Sequence, residues 1–414
     1  MKNSLKFWID DDKVKIKSYQ DILEFLTVND KVIVNYHGND YSLLYANFVK
    51  ALFYDIDFTF LDKDFSESEI EKLTGSKYSQ IEIAIKLPKY QITWDQLLGK
   101  IKNSNSKITL FTSGTTGLPK MVKHSIFSLT RMIRQGENYS KNVWAFCYNP
   151  THIAGIQVFL QAFFNYNPIY YLFEKNSNYI IGKLKLNKIT HISATPTFFR
   201  LMIDQSNRFD YIKRISIGGE KSNLELINKI EKIFPNAKLK NIYASTELGT
   251  IFSSRNDIFC INEQNKDYIK IKNLTLHVHK SIINTVQFDM EGDWYDTGDL
   301  IEWVSEDKSC FKFVSRKSEM INSGGYKIHP GEVEDCILSI SGISSAVVYG
   351  KPNSVLGTVL IADVSLEDEI EITELQIKDI LSTKLQSFKI PRKINFTKTI
   401  IQTRTGKINR NFNL

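Results

Sequence analysis

Short hydrophobic runs alternate with segments of helical spacing along most of the chain. Runs rich in β-branched and aromatic residues predict buried strands at 31–36, 58–61, 143–148, 169–173, 189–194, 214–217 and 240–243. Between several of these runs, apolar residues recur every three or four positions, which predicts helices at 40–54, 156–164, 197–204 and 223–233. Strands that alternate with helices are typical of parallel sheets covered by helices. The pattern therefore predicts an α/β fold.

The pattern changes after about residue 315. A second group of elements is predicted there, with helices at 331–340 and 375–388 and strands at 345–349, 359–364 and 393–396. A unit of roughly 100 residues is a normal size for a domain. We therefore expect a large N-terminal domain of helix-covered β-sheets over residues 1–315 and a small α+β C-terminal domain over residues 316–414.

Composition narrows the class of protein. The chain has 414 residues, of which 42% are hydrophobic and 24% charged, so it can bury a substantial core and is not disordered. It contains no apolar run of about 18 residues, and its first residues lead into an acidic segment at 10–12 rather than an apolar signal core. The sequence therefore predicts no membrane span and a cytoplasmic location.

Cysteine and charge exclude further classes. The four cysteines are scattered without a CxxC pair, so neither a zinc site nor a disulfide framework is expected. The formal charge of +7 is small for this length and no aromatic–basic module accompanies it, which argues against a nucleic-acid partner. A mild positive balance suits an enzyme whose substrates are anions.

The most informative segment follows the hydrophobic run at 108–112. It combines hydroxyls, glycines and a lysine, which are suited to binding phosphate through backbone N–H groups, side-chain donors and positive charge: Thr112, Ser113, Gly114, Thr115, Thr116, Gly117 and Lys120. It is not a Walker loop, because Pro119 stands where that motif requires glycine. The alternative is a Gly/Thr-rich β-hairpin, for which so long a hydroxyl–glycine run is a poor design.

This loop resembles the phosphate-binding signature of the adenylate-forming superfamily, which includes acyl- and aryl-CoA synthetases. Four further segments resemble the family's motifs in the family's order, at 241–247, 294–299, 315–328 and 403–410. The resemblance implies ATP-dependent activation of a small carboxylic acid to an acyl-adenylate, followed by transfer to a thiol. It also implies that ATP, Mg²⁺ and coenzyme A are used and that the C-terminal domain is mobile.

The resemblance assigns the nucleotide contacts residue by residue. It implies that Gly219 and Glu220 present backbone to adenine, that Tyr243 packs on adenine and that Thr246 contacts the α-phosphate. Further roles implied in this way are magnesium binding for Glu247, ribose binding for Asp299, and ribose and phosphate contacts for Arg316. From the residues alone, Tyr243 could instead be a core tyrosine followed by a Thr-Glu helix cap, and Asp299 an Asx-turn residue.

Three more assignments concern the acid, the thiol and the bond that breaks. His152 lies in a PxxHxxG-like segment, whose histidine gates the carboxylate pocket in the family, although a buried structural histidine is the alternative. The resemblance implies that Gly324 and Gly325 line the pantetheine channel and that Lys407 is inserted between carboxylate and α-phosphate. The IHPGEVE wording ending at Glu334 resembles o-succinylbenzoate-CoA-ligase-like members.

Two alternatives remain open at this point. The acceptor could be the phosphopantetheine arm of an acyl carrier protein rather than coenzyme A. The chain could also be a non-catalytic nucleotide-binding homologue, because it departs from the motifs at Ala244, Ser315, Ser318 and Ile401 and has an abbreviated front segment. Which acid is used, aryl, medium-chain or succinyl-aryl, does not follow from the sequence.

Overall fold

A computed structural model of the chain describes residues 6–10, 15–75, 77–88, 91–112, 119–202, 207–279, 281, 285–287, 292–323, 325–353, 357–367 and 370–398. Its helices are α1 (Tyr19–Val28), α2 (Tyr41–Phe53), α3 (Glu67–Thr74), α4 (Trp94–Lys102), α5 (Ile126–Thr130), α6 (Ile153–Phe163), α7 (Ser177–Asn187), α8 (Pro196–Met202), α9 (Leu224–Ile233), α10 (Pro330–Leu338) and α11 (Glu374–Ser382).

Its strands are β1 (Trp8–Ile9), β2 (Lys31–Ile33), β3 (Phe58–Thr59), β4 (Glu82–Ala84), β5 (Ile108–Thr112), β6 (Lys120–His124), β7 (Trp144–Phe146), β8 (Ile169–Tyr171), β9 (His191–Ala194), β10 (Arg214–Gly218), β11 (Lys238–Ser245), β12 (Gly249–Ser254), β13 (Phe259–Cys260), β14 (Ile269–Lys272), β15 (Thr275–His279), β16 (Thr285–Gln287), β17 (Trp294–Trp303), β18 (Cys310–Arg316), β19 (Ile321–Ser323), β20 (Tyr326–Ile328), β21 (Ile343–Asn353), β22 (Gly357–Leu366) and β23 (Lys393–Phe396).

Several helices start where the local sequence supplies a side-chain cap. Ser18, Ser66, Thr93 and Thr373 each accept a hydrogen bond from the backbone N–H three residues on, and the side chain of that residue returns a bond to the cap. These reciprocal bonds satisfy donors that the first helical turn leaves unpaired. The local sequence therefore supplies the start signal of these four helices.

A seven-stranded sheet forms the centre of the large N-terminal region. Its order is β1-β8-β7-β9-β10-β11-β12, and every pair is parallel except β11 with β12. One buried cluster packs α2 and α6 with the aromatic residues of the chain's first half, and a second packs α7, α8 and α9 against β9 and β10. Because the strands run in parallel, their carboxyl ends share one edge of the sheet.

Two smaller sheets complete this region. One is four-stranded with the order β16-β6-β5-β3, and the other is five-stranded with the order β13-β18-β17-β15-β14. In the first, β5 pairs antiparallel with β6, and Thr112 lies opposite Lys120. The hairpin alternative is therefore correct for the topology of this segment. The sequence argument against it failed because it considered only tight turns, whereas seven residues, 113–119, separate these two strands.

The C-terminal elements form a separate small core. A sheet of β21, β22 and β23 packs with α10, α11 and the β19–β20 hairpin around buried aliphatic side chains. The α/β class and the arrangement of a large N-terminal region followed by a small α+β unit are confirmed. Several predicted lengths differ from the structure, most clearly that of the helix expected over 375–388. This helix ends at Ser382, and a short 3-10 turn follows at Ser387–Lys389.

A disulfide joins Cys260 and Cys310, which corrects the expectation that no disulfide forms. The two cysteines are 50 residues apart in sequence, but β13 pairs antiparallel with β18 and places them directly opposite each other. Their Cα atoms are 4.1 Å apart. Sequence spacing could not show this pairing, because it depends on the register of two strands.

Within the described ranges, no helix is both long enough and apolar enough to cross a lipid bilayer.

Candidate active site

The carboxyl edge of the seven-stranded sheet brings together several of the residues singled out from the sequence. His152 follows β7, Gly219 and Glu220 follow β10, and Tyr243 stands near the end of β11. Gly218 pairs with Ile242 in parallel register, so the loop after β10 begins beside Tyr243. Gly219 has φ +87°, a conformation that favours glycine. Residues from three separate segments thus meet at one edge, where ligands bind in open α/β sheets.

Tyr243, Asp299 and Arg316 form one hydrogen-bonded network. The Tyr243 hydroxyl donates to Asp299 Oδ2 at 2.5 Å, and Arg316 Nε donates to Asp299 Oδ1 at 2.8 Å. The Tyr243 ring also stacks on Phe313, with centroids 4.1 Å apart and planes 17° from parallel. The sequence therefore predicted three of the four residues of this cluster. It missed Phe313, which lies three residues before Arg316 on β18.

The Asp299 carboxylate favours the protonated forms of both Tyr243 and Arg316. Burial raises the pKa of Tyr243 well above its ordinary value and the Asp299 carboxylate acts in the same direction, so the phenol remains a donor. Burial works against the charge of Arg316, but Asp299 outweighs it and the pKa of Arg316 is raised. Each Asp299 oxygen retains acceptor capacity, because a carboxylate has about four lone-pair sites.

Thr246 and Glu247 lie on the turn that joins β11 to β12. The backbone N–H of Leu248 donates to Ser245 Oγ, and Leu248 itself is buried. The turn excludes the alternative in which Thr246 and Glu247 cap a helix. Burial raises the pKa of Tyr295 on β17 to about 12, and the Glu247 carboxylate acts in the same direction. The turn is therefore electrostatically coupled to the strand that carries Asp299.

Glu220 holds the start of the neighbouring helix. Its Oε2 atom accepts hydrogen bonds from the backbone N–H and the hydroxyl of Thr197, at 3.0 and 2.6 Å, in the first turn of α8. A carboxylate at a helix N-terminus interacts favourably with the helix dipole. The side chain of Glu220 thus orders the loop whose backbone the sequence analysis placed beside adenine.

A buried carboxylate stands beside His152. Asp62 is 3% exposed, and its Oδ2 lies 3.9 Å from His152 Nε2. The same oxygen accepts hydrogen bonds from Asn149 Nδ2 at 2.7 Å and from the Thr151 hydroxyl at 3.4 Å. Sequence analysis identified His152 but missed Asp62. A carboxylate directly after the buried Phe60 and Leu61 was the available signal.

The phosphate-loop segment is described only at its two ends. Thr112 closes β5 and is partly buried, whereas Lys120 opens β6 and is exposed. Five of the predicted loop residues lie outside the described residues: Ser113, Gly114, Thr115, Thr116 and Gly117. Gly324 and Lys407 also lie outside them. Their assignments remain expectations from the family resemblance.

The C-terminal region contacts the large region at the segment that follows Glu220. Lys221 Nζ pairs with Asp335 Oδ2 of α10 at 2.7 Å, and Asn223 Nδ2 donates to Asp335 Oδ1 at 3.0 Å. Ser315 Oγ and His329 Nδ1 are 2.6 Å apart. Burial lowers the pKa of His329. Gly325 has φ +86°, a conformation that a residue with a side chain rarely adopts.

The side chains at this edge suit a nucleotide and its magnesium ion. One face of the Tyr243 ring lies against Phe313, Asp299 can accept hydrogen bonds from ribose hydroxyls, and Arg316 supplies positive charge. Glu247 offers the single carboxylate that Mg²⁺ commonly uses together with substrate phosphates. Within the described residues there is no group of three or more His, Cys, Asp or Glu arranged for a metal.

Comparison with known proteins gives the family. The profile of the AMP-binding enzyme family matches residues 61–273, just over half of the 414-residue chain, and the profile of the AMP-binding enzyme C-terminal domain matches residues 332–407.

Two relatives carry the name 2-succinylbenzoate–CoA ligase. The one from Listeria monocytogenes is 25% identical over 371 residues, which cover 84% of this chain and 76% of that protein. The one from Staphylococcus aureus is 26% identical over 328 residues, which cover 73% of this chain and 65% of that protein.

Solved structures share the fold at low sequence identity. The o-succinylbenzoate CoA synthetase from Bacillus subtilis, in complex with its acyl-adenylate intermediate, has a TM-score of 0.67 at 18% identity and covers 98% of this chain and 94% of that one. ATP-bound MatB from Rhodopseudomonas palustris has a TM-score of 0.68 at 14% identity and covers 99% and 95%. The agreement in fold, the match to both domain profiles and the contacts among Tyr243, Asp299 and Arg316, which come from three of the five motifs, lead to one conclusion. The chain belongs to the AMP-binding enzyme family, and the prediction of an AMP-forming acid–thiol ligase is confirmed.

Proposed function

We propose that this chain uses Mg·ATP to join a carboxylic acid of the 2-succinylbenzoate class to coenzyme A. The relatives from Listeria monocytogenes and Staphylococcus aureus, which carry that name, support the choice of acid and thiol. So does the IHPGEVE segment ending at Glu334. We propose coenzyme A rather than a carrier protein as the acceptor.

The network of Tyr243, Asp299 and Arg316 carries the proposal. It offers an aromatic plane, a buried carboxylate with free lone pairs and a guanidinium within a few ångströms of one another, at the edge where ligands bind in α/β sheets. Adenine, ribose and phosphate need these three chemistries. We propose that the three residues bind these three parts of the nucleotide.

The remaining roles follow from position along the same edge. We propose that Thr246 donates to the α-phosphate, that Glu247 helps hold magnesium, and that His152, oriented by Asp62, borders the acid pocket. When bound, Mg²⁺ neutralises phosphate charge as the carboxylate attacks the α-phosphate. Catalysis would then rest on positioning and charge stabilisation, as is usual for phosphoryl chemistry.

In the first half-reaction a carboxylate oxygen bonds to the α-phosphorus of ATP, and pyrophosphate leaves. In the second, the coenzyme A sulfur bonds to the acyl carbon, and AMP leaves. We propose that residues 1–315 bind the substrates and that residues 316–414 form the mobile unit that supplies Lys407 to the first half-reaction and Gly324 and Gly325 to the second. These assignments rest on the family resemblance.

ATP–pyrophosphate exchange with a panel of acids tests the proposal. The panel should contain 2-succinylbenzoate, benzoate, a medium-chain fatty acid and malonate. Exchange that depends on 2-succinylbenzoate is expected. Exchange with another acid would overturn the assigned substrate class, and the absence of exchange with every acid would favour the non-catalytic homologue.

The acceptor and the lysine are tested separately. With the active acid and ATP, coenzyme A should release AMP, and a phosphopantetheinylated carrier protein should not.

Lys407→Ala should abolish exchange but spare thioester formation from supplied acyl-adenylate. Equal loss of both half-reactions would show that the role of Lys407 is wrong.

A further inference from the structure

An arginine outside all of the motifs donates hydrogen bonds to the main chain next to Thr246 and Glu247. Arg131 directly follows α5, in the segment after the β5–β6 hairpin. Its Nη2 atom donates to the Leu248 carbonyl at 2.7 Å and to the Thr250 carbonyl at 3.4 Å. Leu248 directly follows Glu247, so the guanidinium holds the main chain at the end of the turn.

The fit between this arginine and the turn is close. Gly249 lies between the two bonded carbonyls and has φ +68°. A Cβ atom added to Gly249 would stand 2.6 Å from Arg131 Nη2, closer than such atoms approach in real proteins. Glycine therefore serves two purposes at this position. It permits the left-handed backbone conformation, and it leaves room for the guanidinium.

The burial of Arg131 also favours this contact. It is only partly exposed, and burial lowers its pKa. A partly buried guanidinium needs acceptors for its N–H groups, and two main-chain carbonyls of the turn provide them. The bonds are charge-assisted and are stronger than bonds between neutral groups.

A neutral histidine lies beside the start of this turn. His124 on β6 is 2% exposed, and its Nδ1 lies 3.0 Å from Ser128 Oγ. Burial lowers the pKa of His124 to about 4 and Arg131 acts in the same direction, whereas the main chain of Thr246 acts in the opposite direction. His124 is therefore uncharged at neutral pH and faces the residue that begins the turn.

We propose that Arg131 is a positioning residue for the phosphate and magnesium side of the site, acting through the Thr246–Leu248 turn. This inference rests on the proposed roles of Thr246 and Glu247. Arg131 touches neither nucleotide nor metal in this scheme. It fixes the turn so that the Thr246 hydroxyl and the Glu247 carboxylate are already in place when Mg·ATP binds.

The prediction separates two parts of the nucleotide. Tyr243 and Asp299 hold adenosine, and their contacts do not involve Arg131. Arg131→Ala should therefore weaken binding of Mg·ATP about tenfold, because the turn would then hold the binding geometry only part of the time, and leave adenosine affinity within about twofold. Arg131→Lys keeps the charge but offers only a point donor, so it should give a smaller loss.

Equilibrium binding of Mg·ATP and of adenosine is the primary measurement, and pyrophosphate exchange is the second. Arg134→Ala is the matched control, since Arg134 lies three residues further on and is exposed. Equal weakening of adenosine and Mg·ATP by Arg131→Ala would overturn the inference, as would unchanged Mg·ATP binding. If the wild-type chain shows no exchange with any acid, the proposed function fails, while the binding data still decide the role of Arg131.

A double-mutant cycle tests the contact itself. Gly249→Ala should impair Mg·ATP binding strongly in the wild-type background and less in the Arg131→Ala background, where the colliding group is absent. Additive effects would show that the Arg131–Gly249 contact does not hold the turn. Arg131→Lys provides a second background if Arg131→Ala does not fold.

Discussion

In the stacked pair of Tyr243 and Phe313, the proposed adenine-binding role of the Tyr243 ring can be separated from the hydrogen bond that its hydroxyl makes. Tyr243→Phe removes the hydroxyl that donates to Asp299 but keeps the ring, whose centroid lies 4.1 Å from that of Phe313. Tyr243→Ala removes both. The two variants therefore differ by the aromatic plane alone.

The structure sets the size of each effect. Stacking of a base on an aromatic side chain contributes about 1–3 kcal/mol, so Tyr243→Ala should weaken ATP binding by about 5- to 150-fold. For Tyr243→Phe, Asp299 keeps its bond from Arg316 at 2.8 Å. We therefore expect ATP affinity to change by no more than about threefold, while the free energy of unfolding falls by about 1–2 kcal/mol.

Isothermal titration with ATP and urea unfolding of the same preparations measure the two quantities. Each variant should be compared with the wild-type chain at one ionic strength. If Tyr243→Phe loses as much ATP affinity as Tyr243→Ala, the hydroxyl network and not the ring carries nucleotide binding. If Tyr243→Ala binds ATP like the wild-type chain, adenine does not stack on Tyr243.

Three further predictions concern stability. The Cys260–Cys310 disulfide closes a loop of 50 residues, so a reductant should lower the free energy of unfolding of the wild-type chain by up to about 4 kcal/mol. Urea unfolding should show no such effect in the C260S/C310S variant, and an unaffected wild-type chain would contradict the prediction. Burial lowers the pKa of His191 to about 4, so between pH 7 and pH 5 this histidine gains a proton in the unfolded state but not in the folded state. The free energy of unfolding should therefore fall by about 2 kcal/mol over this range through His191. His191→Gln should remove that part of the pH dependence, and an unchanged slope would refute the prediction. A Cβ on Gly155 would collide with a main-chain carbonyl, whereas one on Gly182 meets nothing within 4 Å. Thermal unfolding should therefore show that Gly155→Ala destabilises the chain and that Gly182→Ala stabilises it by about 0.5–1 kcal/mol. Equal shifts of the two variants would contradict the packing argument.

Local signals in the sequence predicted about half of the helices and strands that the structure describes. The strand at 393–396 was predicted with its observed bounds, and the helix over 223–233 begins one residue later than expected, after its Asn223 cap. The largest error concerns the length of a helix. The helix expected to reach residue 388 stops at Ser382, although the apolar spacing continues beyond it.

The candidate site divides in the same way. Tyr243, Asp299 and Arg316 could be identified because each lies in a motif with a chemical reason for its residue types. The contact of Tyr243 with Phe313 could not be predicted, because Tyr243 lies on β11 and Phe313 on β18, which belong to different sheets. Likewise, Asp62 follows β3 and His152 follows β7, which also belong to different sheets. The packing of one sheet against another decides both contacts, and short-range patterns in the sequence do not contain it.

The contact between Lys221 and Asp335 has a mechanical consequence. Lys221 directly follows Glu220, whose carboxylate anchors α8, and Asp335 lies on the first helix of the C-terminal unit. Any movement of that unit relative to the large region would have to break the contacts of Asp335 with both Lys221 and Asn223. The loop after β10, which begins with Gly219 and Glu220, is therefore mechanically coupled to the position of α10.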